Sequence, residues 1–303
     1  MRVLVTGANG WIGSAVVREL VGAGHNVTGL VRSSAKGEAV AASGASPVVG
    51  TLRDLDTLRA AAADQDGVIH TAFGTDFSRM AELAKEDREA IDAFGAAFAG
   101  TDRVLIVTSA LGFLLPGEVF TERSRRPVLP ELPRASEQAA LALAEQDVRA
   151  SAVRLARAVH ALGGDHGLIP MLTAIAQTHG FSAYIGDGSN NWPAVHRDDA
   201  ARLYRLALEA GVAGQVYHAV AENVPFRQIA EAIGEQAGVP VRSLTREEAD
   251  GHFGPMAIWA ATGTDVPSEA TRDALGWAPA GPGLLSEIRR TDYLATDVDR
   301  TGE

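Results

Sequence analysis

The sequence predicts an α/β fold of the Rossmann type, in which a doubly wound parallel sheet is joined to a smaller C-terminal lobe. Three observations predict it. Short runs rich in β-branched residues alternate with longer amphipathic stretches in the first half of the chain, as in successive βαβ units. A glycine-rich segment joins the first strand to the first helix. Glycine and proline punctuation becomes frequent only after about residue 159, where the regular alternation ends.

The elements of the first half follow from the local pattern. Buried parallel strands are expected where short apolar runs occur, at Arg2–Thr6, Val27–Val31, Pro47–Val49, Val68–His70, Val104–Val107 and Ala152–Leu155. Helices are expected over the amphipathic stretches between them, at Trp11–Ala23, Ala35–Ser43, Leu55–Ala63, Phe77–Phe98 and about 135–148.

The second half predicts helices at 168–178, 198–210, 226–237 and 281–292. The run Gln215–Ala219 predicts one more strand, which would return to the sheet. The chain is therefore divided into a Rossmann domain at 1–158 and a substrate lobe at 159–303 that is interleaved with the sheet.

Composition excludes several classes of protein. Of 303 residues, 46% are hydrophobic, which is ample for a core and excludes a disordered chain. The net charge of −11, from 27 basic and 38 acidic residues, argues against nucleic acid and anionic lipid as partners. The absence of cysteine excludes disulfides and thiolate metal ligands, and no metal site is predicted. With no evident signal or membrane-spanning segment, a cytoplasmic protein is expected.

The glycine-rich segment runs from Thr6 to Gly13 between the first strand and the first helix. Gly7 permits a tight turn, Gly10 lets a pyrophosphate approach the backbone, and Gly13 lets the helix pack closely on the strand. The helix N-terminus then offers free N–H groups to the phosphates. This context predicts a dinucleotide site, whose expected contacts are Gly7, Asn9, Gly10, Trp11, Ile12 and Gly13.

Together with further motifs, this turn resembles the short-chain dehydrogenase/reductase superfamily, in its extended or atypical branch of epimerase- and dehydratase-like proteins. The supporting motifs are His70-Thr71-Ala72, Thr108-Ser109-Ala110, the run from Pro193 to Ala200, and Gly276-Trp277-Ala278-Pro279. Asp198 or Asp199 is expected to cap the helix in the third of these. The resemblance implies a Rossmann domain with a C-terminal substrate lobe, a small-molecule substrate, and further cofactor contacts at His70, Thr71, Ala72 and Thr108. It also implies that a homodimer would form through the helices at about 77–98 and 135–148.

The end of the second strand favours NADPH over NADH. An NAD site usually places a carboxylate there, but this sequence reads Arg32-Ser33-Ser34. Arg32 can pair with a 2′-phosphate, with help from the hydroxyl of Ser33 or Ser34. The alternative is that Arg32 is a solvated surface residue and NAD binds without a carboxylate. After the third strand, Thr51-Leu52 stands where related proteins usually have Asp-Leu beside the adenine.

The usual catalytic pair of this superfamily is missing. Its acid is a tyrosine four residues before a lysine that lowers the pKa of the phenol. Only two lysines occur, Lys36 and Lys85, and no tyrosine precedes either by four. In the segment 133–140, one register places Pro133 and Glu137 at the two positions and the other places Ser136 and Ala140 there, so both fail.

Other residues are candidates for the chemistry. The catalytic candidates are Ser109, which can donate to a developing oxyanion, Ser136, and His160, which follows the sixth strand. Arg134 can stabilise negative charge without transferring a proton, while His166 or bound water can supply one. Asp165 is expected to cap the next helix, and Trp192 to close over the cleft. Possible walls of an apolar pocket are Phe113, Leu114, Leu115, Tyr184, Trp192, Phe253 and Trp259.

The sequence therefore supports two main hypotheses. The first is an NADPH-dependent reductase of a small or medium, largely apolar carbonyl or imine. The alternative is a non-catalytic NADP(H)-binding redox sensor or regulator, suggested by the missing tyrosine and lysine. A sugar-nucleotide epimerase or dehydratase is less well supported, because that chemistry uses the same tyrosine.

Overall fold

Seven parallel strands form the main sheet of the protein, a computed structural model that describes residues 1–74, 76–111, 119–125, 128, 133–165, 167–290 and 293. Their spatial order is β10-β6-β5-β4-β1-β2-β3. The strands are β1 (Arg2–Thr6), β2 (Asn26–Val31), β3 (Ser46–Val49), β4 (Gly67–His70), β5 (Val104–Ala110), β6 (Arg149–Leu155) and β10 (Val216–Ala219). The order reverses between β1 and β4, and in open α/β sheets ligands bind at the carboxyl ends of the strands beside such a switch point.

The remaining strands belong to the C-terminal lobe. They are β7 (Ala158–His160), β8 (Ser182–Ile185), β9 (Asn191–His196), β11 (Glu222–Pro225) and β12 (Val241–Leu244). Strand β9 lies between β7, to which it is parallel, and β11, to which it is antiparallel. Strands β8 and β12 form a parallel pair.

Helices cover both faces of the main sheet and complete the lobe. They are α1 (Trp11–Gly22), α2 (Ser34–Ala42), α3 (Leu55–Ala63), α4 (Met80–Phe98), α5 (Ser136–Ala144), α6 (Leu168–His179), α7 (Arg197–Ala210), α8 (Phe226–Ala237), α9 (Arg246–Phe253), α10 (Ala257–Ala261), α11 (Glu269–Leu275) and α12 (Leu284–Ile288). Short 3₁₀ turns precede α4 and α10, at Phe77–Arg79 and Gly254–Met256. Within the described residues, no helix combines the length and the apolar character needed to cross a membrane.

The core consists of three apolar clusters. One cluster on each face of the main sheet packs the strands against helices, with Tyr204 and Trp277 in the first and Phe94 and Phe98 in the second. The third lies inside the C-terminal lobe around Trp192. Helices thus pack on both faces of the main sheet.

The predicted doubly wound α/β fold is confirmed, and the predicted elements of the first half lie within a few residues of the observed ones. The strand predicted at Gln215–Ala219 is β10, which pairs with β6 at the edge of the main sheet. The run from Pro193 to Ala200 resembles a motif in which a strand enters a helix, and β9 and α7 lie there. The sequence predicts no strand at β7, β8, β11 or β12, which have three or four residues each, too few for a periodic pattern to stand out.

The expected helix caps were wrong. Gly167, not Asp165, is the N-cap of α6; the Asp165 carboxylate instead accepts from the backbone N–H of Gly167 and from the Tyr293 hydroxyl. The N-cap of α7 is His196, whose Nδ1 accepts from the N–H of Asp198. The carboxylate of Asp199 does not cap α7 but accepts from the N–H groups of Ala280 and Gly281.

Candidate functional site

The glycine-rich turn after β1 leaves the backbone open at the start of α1. Gly7 has φ +67°, a conformation that favours glycine, and a Cβ on it would lie 2.9 Å from Cα of Ala72. A Cβ on Gly13 would lie 2.0 Å from the carbonyl oxygen of Gly7, so only glycine lets α1 pack this closely. Gly10 is exposed and is the N-cap of α1, with no side-chain capping bond. The N-terminus of α1, where the helix dipole is positive, thus favours an anion.

Trp11 and its neighbours fix this turn to both lobes. The indole Nε1 of Trp11 donates to the carbonyl of Val159 at 3.0 Å, which ties α1 to β7 of the C-terminal lobe. Ile12 packs on the adjoining core cluster, and Asn9 is partly buried. The predicted contacts from Gly7 to Gly13 therefore lie together at the switch point.

The segment that follows β4 packs against this turn. The Thr71 hydroxyl donates to the Thr6 carbonyl at 2.7 Å, and the N–H of Ala72 donates to the Thr6 hydroxyl at 3.2 Å. His70 is different, because its imidazole is completely buried. Its Nδ1 lies 2.8 Å from the Thr6 hydroxyl and its Nε2 lies 3.2 Å from Asp87 Oδ1. The His70 side chain is thus enclosed within the protein by its bonds to Thr6 and Asp87. A contact of the His70 backbone with the cofactor stays a prediction.

The end of β2 carries exposed polar side chains and no carboxylate. Arg32 and Ser33 are exposed, and Ser33 is the N-cap of α2 without a side-chain capping bond. Lys36, in the first turn of α2, is also exposed. Lys36 is not among the predicted cofactor contacts, although it follows Arg32 by only four residues and adds a second cation there.

Beside the end of β3, the polar group is a carboxylate that the sequence reading missed. Asp54 Oδ2 accepts from both the N–H and the hydroxyl of Thr51, each at 2.8 Å. These two bonds lower the pKa of Asp54. Leu52 is half-buried and packs on the core. An ionised acid thus lies near the position predicted to contact the adenine, three residues after Thr51, and the hydroxyl proton of Thr51 is already used in its bond to Asp54.

A buried polar network links β4, α4 and the start of α5. Asp87 is completely buried on α4 and, besides His70, accepts a 2.6 Å bond from the Ser136 hydroxyl. Burial alone would raise the pKa of Asp87, but the bond from His70, the charge of Arg134 and the bond from Ser136 outweigh it and the pKa is lowered. Asp87 is therefore a buried anion that holds the side chains of His70 and Ser136 in place.

Arg134 is held at the carboxyl end of β5 by this network. Its Nε donates to the Ser136 hydroxyl at 2.9 Å and its Nη2 donates to the Thr108 carbonyl at 2.9 Å. The guanidinium lies over the ring of Phe73, with Cζ 4.0 Å from the centroid, and the side chain is 19% exposed. A cation therefore lies at the carboxyl ends of β4 and β5.

Ser109 and Thr108 close this edge. Ser109 is 7% exposed at the end of β5. The Thr108 hydroxyl donates to the His70 carbonyl at 2.8 Å and lies 2.7 Å from the hydroxyl of Tyr204. Burial raises the pKa of Tyr204, which is enclosed in the core on α7. Although this phenol lies close to the site, it keeps its proton and does not replace the missing acid.

His160 lies in β7, one residue after the carbonyl that holds Trp11. Its imidazole is buried and its Nδ1 is 2.5 Å from Glu287 Oε2. His196 lies against the ring of His160, with centroids 5.7 Å apart, and its Nε2 is 3.6 Å from the same carboxylate. The predicted histidine is therefore part of a two-histidine, one-carboxylate cluster in the lobe.

Several predicted pocket walls are core residues. Trp192 is completely buried in β9 and donates to the Trp259 carbonyl, so it does not close over the cleft as expected. Phe253 lies in the same cluster, with Tyr184 and Trp259 packed at its margin. Phe113, Leu114, Leu115 and His166 lie outside the described residues.

Comparisons with known proteins agree with this geometry. A family model described as NAD(P)H-binding matches residues 7–168. The chain is 46% identical to an uncharacterized protein of Schizosaccharomyces pombe over 97% of this chain and all of that one. It is 29% identical to a 2-alkyl-3-oxoalkanoate reductase of Stenotrophomonas maltophilia over 79% of this chain and 77% of that one. The fold is similar to that of DesIV, a dTDP-glucose 4,6-dehydratase from Streptomyces venezuelae solved with NAD and TYD bound, with a TM-score of 0.75 at 22% identity over 96% and 95% of the two chains.

Proposed function

The chain belongs to the NAD(P)H-binding family within the short-chain dehydrogenase/reductase superfamily, and from this premise we propose that it is an NADPH-dependent reductase. The acceptor is a small or medium-sized, largely apolar carbonyl or imine compound, and a ketone is the better-supported of the two. The observation that carries this proposal is the Arg134 guanidinium, which is held at the end of β5 by the carbonyl of Thr108, the residue before Ser109.

NADPH is the proposed cofactor because the end of β2 lacks the carboxylate that binds a ribose 2′-hydroxyl. A negative charge there would repel a 2′-phosphate, whereas Arg32, the Ser33 hydroxyl and Lys36 attract one. Asp54 is proposed to accept from the adenine amino group in place of the usual aspartate. The remaining contacts of the turn, together with Thr71 and Ala72, form the floor of the site.

Bound NADPH supplies hydride to the carbonyl carbon. As the C=O π electrons move to oxygen, negative charge develops on that atom. Ser109 is proposed to donate a hydrogen bond to this oxygen, and Arg134 to place its charge close to it. Because an arginine keeps its proton at any ordinary pH, the proton that turns the alkoxide into an alcohol must come from elsewhere. Water entering beside the partly exposed Arg134 side chain is the proposed source.

Ser136 and His160 have different proposed roles. The Ser136 hydroxyl donates a hydrogen bond to Asp87 and accepts one from Arg134. We therefore assign Ser136 to positioning that arginine. His160 is the alternative proton source, because its imidazole pairs with Glu287 in the strand that follows β6. A reductase that relies on His160 would lose most of its activity in His160→Gln, whereas one that takes its proton from water would keep it.

A relative whose name states its activity supports a ketone acceptor. By its name, the Stenotrophomonas enzyme reduces a 3-oxo acid, in which the reacting group is a ketone. Arg134 suits such a compound, because the same cation can face a developing alkoxide. The missing tyrosine and lysine favour a second candidate, the non-catalytic NADP(H) sensor.

A turnover assay separates the two candidates. NADPH oxidation is followed with a panel of 2-alkyl-3-oxo acids, simple ketones, imines and quinones. A reductase gives saturable oxidation with at least one class, and Ser109→Ala and Arg134→Gln each lower kcat by about 100-fold. Arg88→Gln, an exposed arginine paired with Asp92 on α4, is the matched control and keeps full activity. Tight NADPH binding with no oxidation across the panel would instead support the sensor.

A further inference from the structure

Arg197 lies beside the start of α1, although it belongs to α7. Its guanidinium stacks on the indole of Trp11, with Cζ 4.1 Å from the ring centroid. The indole itself is fixed by the hydrogen bond to Val159. A cation is thus held next to the first turn of α1, where the backbone N–H groups and the helix dipole favour an anion.

One donor of the Arg197 side chain lacks an acceptor among the described residues. Its side chain is 17% exposed, and within the part of the chain that the structure describes its buried Nε has no hydrogen-bond partner. The carboxylate of Asp198 lies 3.8 Å from Nε and is 60% exposed, so it gives little compensation. Burial, and next the charge of Arg18, lower the pKa of Arg197. A desolvated donor of this kind is costly unless a ligand supplies its acceptor.

The packing of α7 on α1 keeps this position fixed. Arg205 of α7 binds Glu19 of α1 at 2.7 Å, one turn before the ends of the two helices. The loop after β7 also lies near Trp11, and it contains Gly163 and Gly164, both with positive φ. A Cβ on Gly164 would lie 3.7 Å from the indole, so the loop is close to the ring and carries no side chain there.

We propose that Arg197 is a cofactor ligand whose guanidinium binds the pyrophosphate of the nicotinamide dinucleotide. It would add a side-chain cation to the N–H groups of the α1 turn, which helps a protein of net charge −11 to hold a polyanion. The proposal rests on cofactor binding by the family and is independent of the reaction and of the choice between NADP and NAD.

Binding of three compounds tests the proposal. NADP⁺ and NAD⁺ both contain the pyrophosphate, whereas adenosine 2′-monophosphate lacks it. Calorimetry with Arg197→Gln is expected to show NADP⁺ and NAD⁺ weakened alike, by about tenfold or more, with adenosine 2′-monophosphate within about twofold of the wild type. Arg197→Lys keeps the charge without the planar fork and should lose less.

Arg18→Gln is the matched control, because Arg18 is near the same aspartate but is 49% exposed, and it should change none of the three affinities by more than about twofold. Unchanged NADP⁺ and NAD⁺ affinities in both Arg197 variants would overturn the proposal. An equal loss for all three compounds would overturn it as well, since it would indicate a distorted cleft. Thermal unfolding without ligand shows which variants are folded; if Arg197→Gln is not, the lysine variant decides.

Discussion

The hydroxyl of Ser136 donates a 2.6 Å hydrogen bond to Asp87, a carboxylate that is completely buried on α4. Through this bond the first residue of α5 is attached to α4, and through Ser136 the anion also fixes Nε of Arg134. A buried charge of this kind is tolerated only when it is paired and hydrogen-bonded. The candidate active site is therefore supported by an anion that does not itself reach the cleft.

Replacing Asp87 by asparagine should destabilise the protein by about 3 kcal/mol at pH 7, since Arg134 loses the buried charge that compensates it. The lowered pKa of Asp87 gives the sign of the pH dependence. Its contribution is complete above the unfolded value of about 3.9 and is lost as pH falls through the lower folded value. Denaturant unfolding at pH 7 and pH 3 should thus show a gap between wild type and variant that narrows in acid.

Asp92→Asn is the control for this measurement. Asp92 lies on the same helix and pairs with Arg88, but both side chains are about half exposed, so the change should cost less than about 1 kcal/mol. A gap for Asp87→Asn that stays constant down to pH 3 would show that the pKa of Asp87 is the same in the folded and unfolded chain.

How far the sequence could predict this site depends on the range of the interactions. The turn from Gly7 to Gly13 is a local pattern. Glycine is required there because a side chain would clash with a residue a few positions away or with the end of the adjacent strand. The doubly wound sheet follows from local alternation in the same way. The network of Asp87 could not be predicted, because its partners are 17 and 49 residues away and none has a characteristic spacing. Trp192 shows the reverse error, since a polar turn before it suggested exposure while the lobe encloses it completely.

Cofactor preference should depend on Arg32. Arg32→Ala is expected to weaken NADPH by about 10- to 100-fold, the range for losing a hydrogen-bonded charge, and to leave NADH unchanged. Ser33→Asp, which adds the missing carboxylate, should weaken NADPH further and strengthen NADH. Fluorescence titration with both cofactors measures this, with Arg59→Ala on the exposed side of α3 as the control. An equal loss of NADPH and NADH would contradict the assignment of Arg32 to the 2′-phosphate.

The close approach of α1 to the first turn should make Gly13 indispensable. Gly13→Ala places a methyl group 2.0 Å from the Gly7 carbonyl oxygen, so α1 must shift and the N–H groups at its start move with it. A loss of about 3 kcal/mol in stability and of measurable cofactor binding is expected. Gly22→Ala, at the end of the same helix, has no atom within 4 Å of the new methyl group and should be neutral or stabilising by up to about 1 kcal/mol. Thermal unfolding with and without NADPH compares the two, and similar behaviour of both variants would rule out the packing argument.

His252 should make the C-terminal lobe sensitive to mild acid. This residue of α9 stacks on Phe181, with centroids 4.5 Å apart, and its pKa is lowered to about 4 by burial and then by the neighbouring His179. The unfolded chain binds a proton at His252 near pH 6.5, so stability should fall as pH falls from about 6.5 to 4 and then level off for this group. His252→Phe removes the titrating group and keeps an aromatic ring. Urea unfolding between about pH 6.5 and 4 should therefore show the free energy of unfolding of the variant rising relative to that of the wild type, by an amount on the order of 3 kcal/mol at pH 4. His179→Gln should recover only a smaller part, because burial is the larger cause. Parallel stability curves for His252→Phe and the wild type would show that this histidine titrates alike in both states.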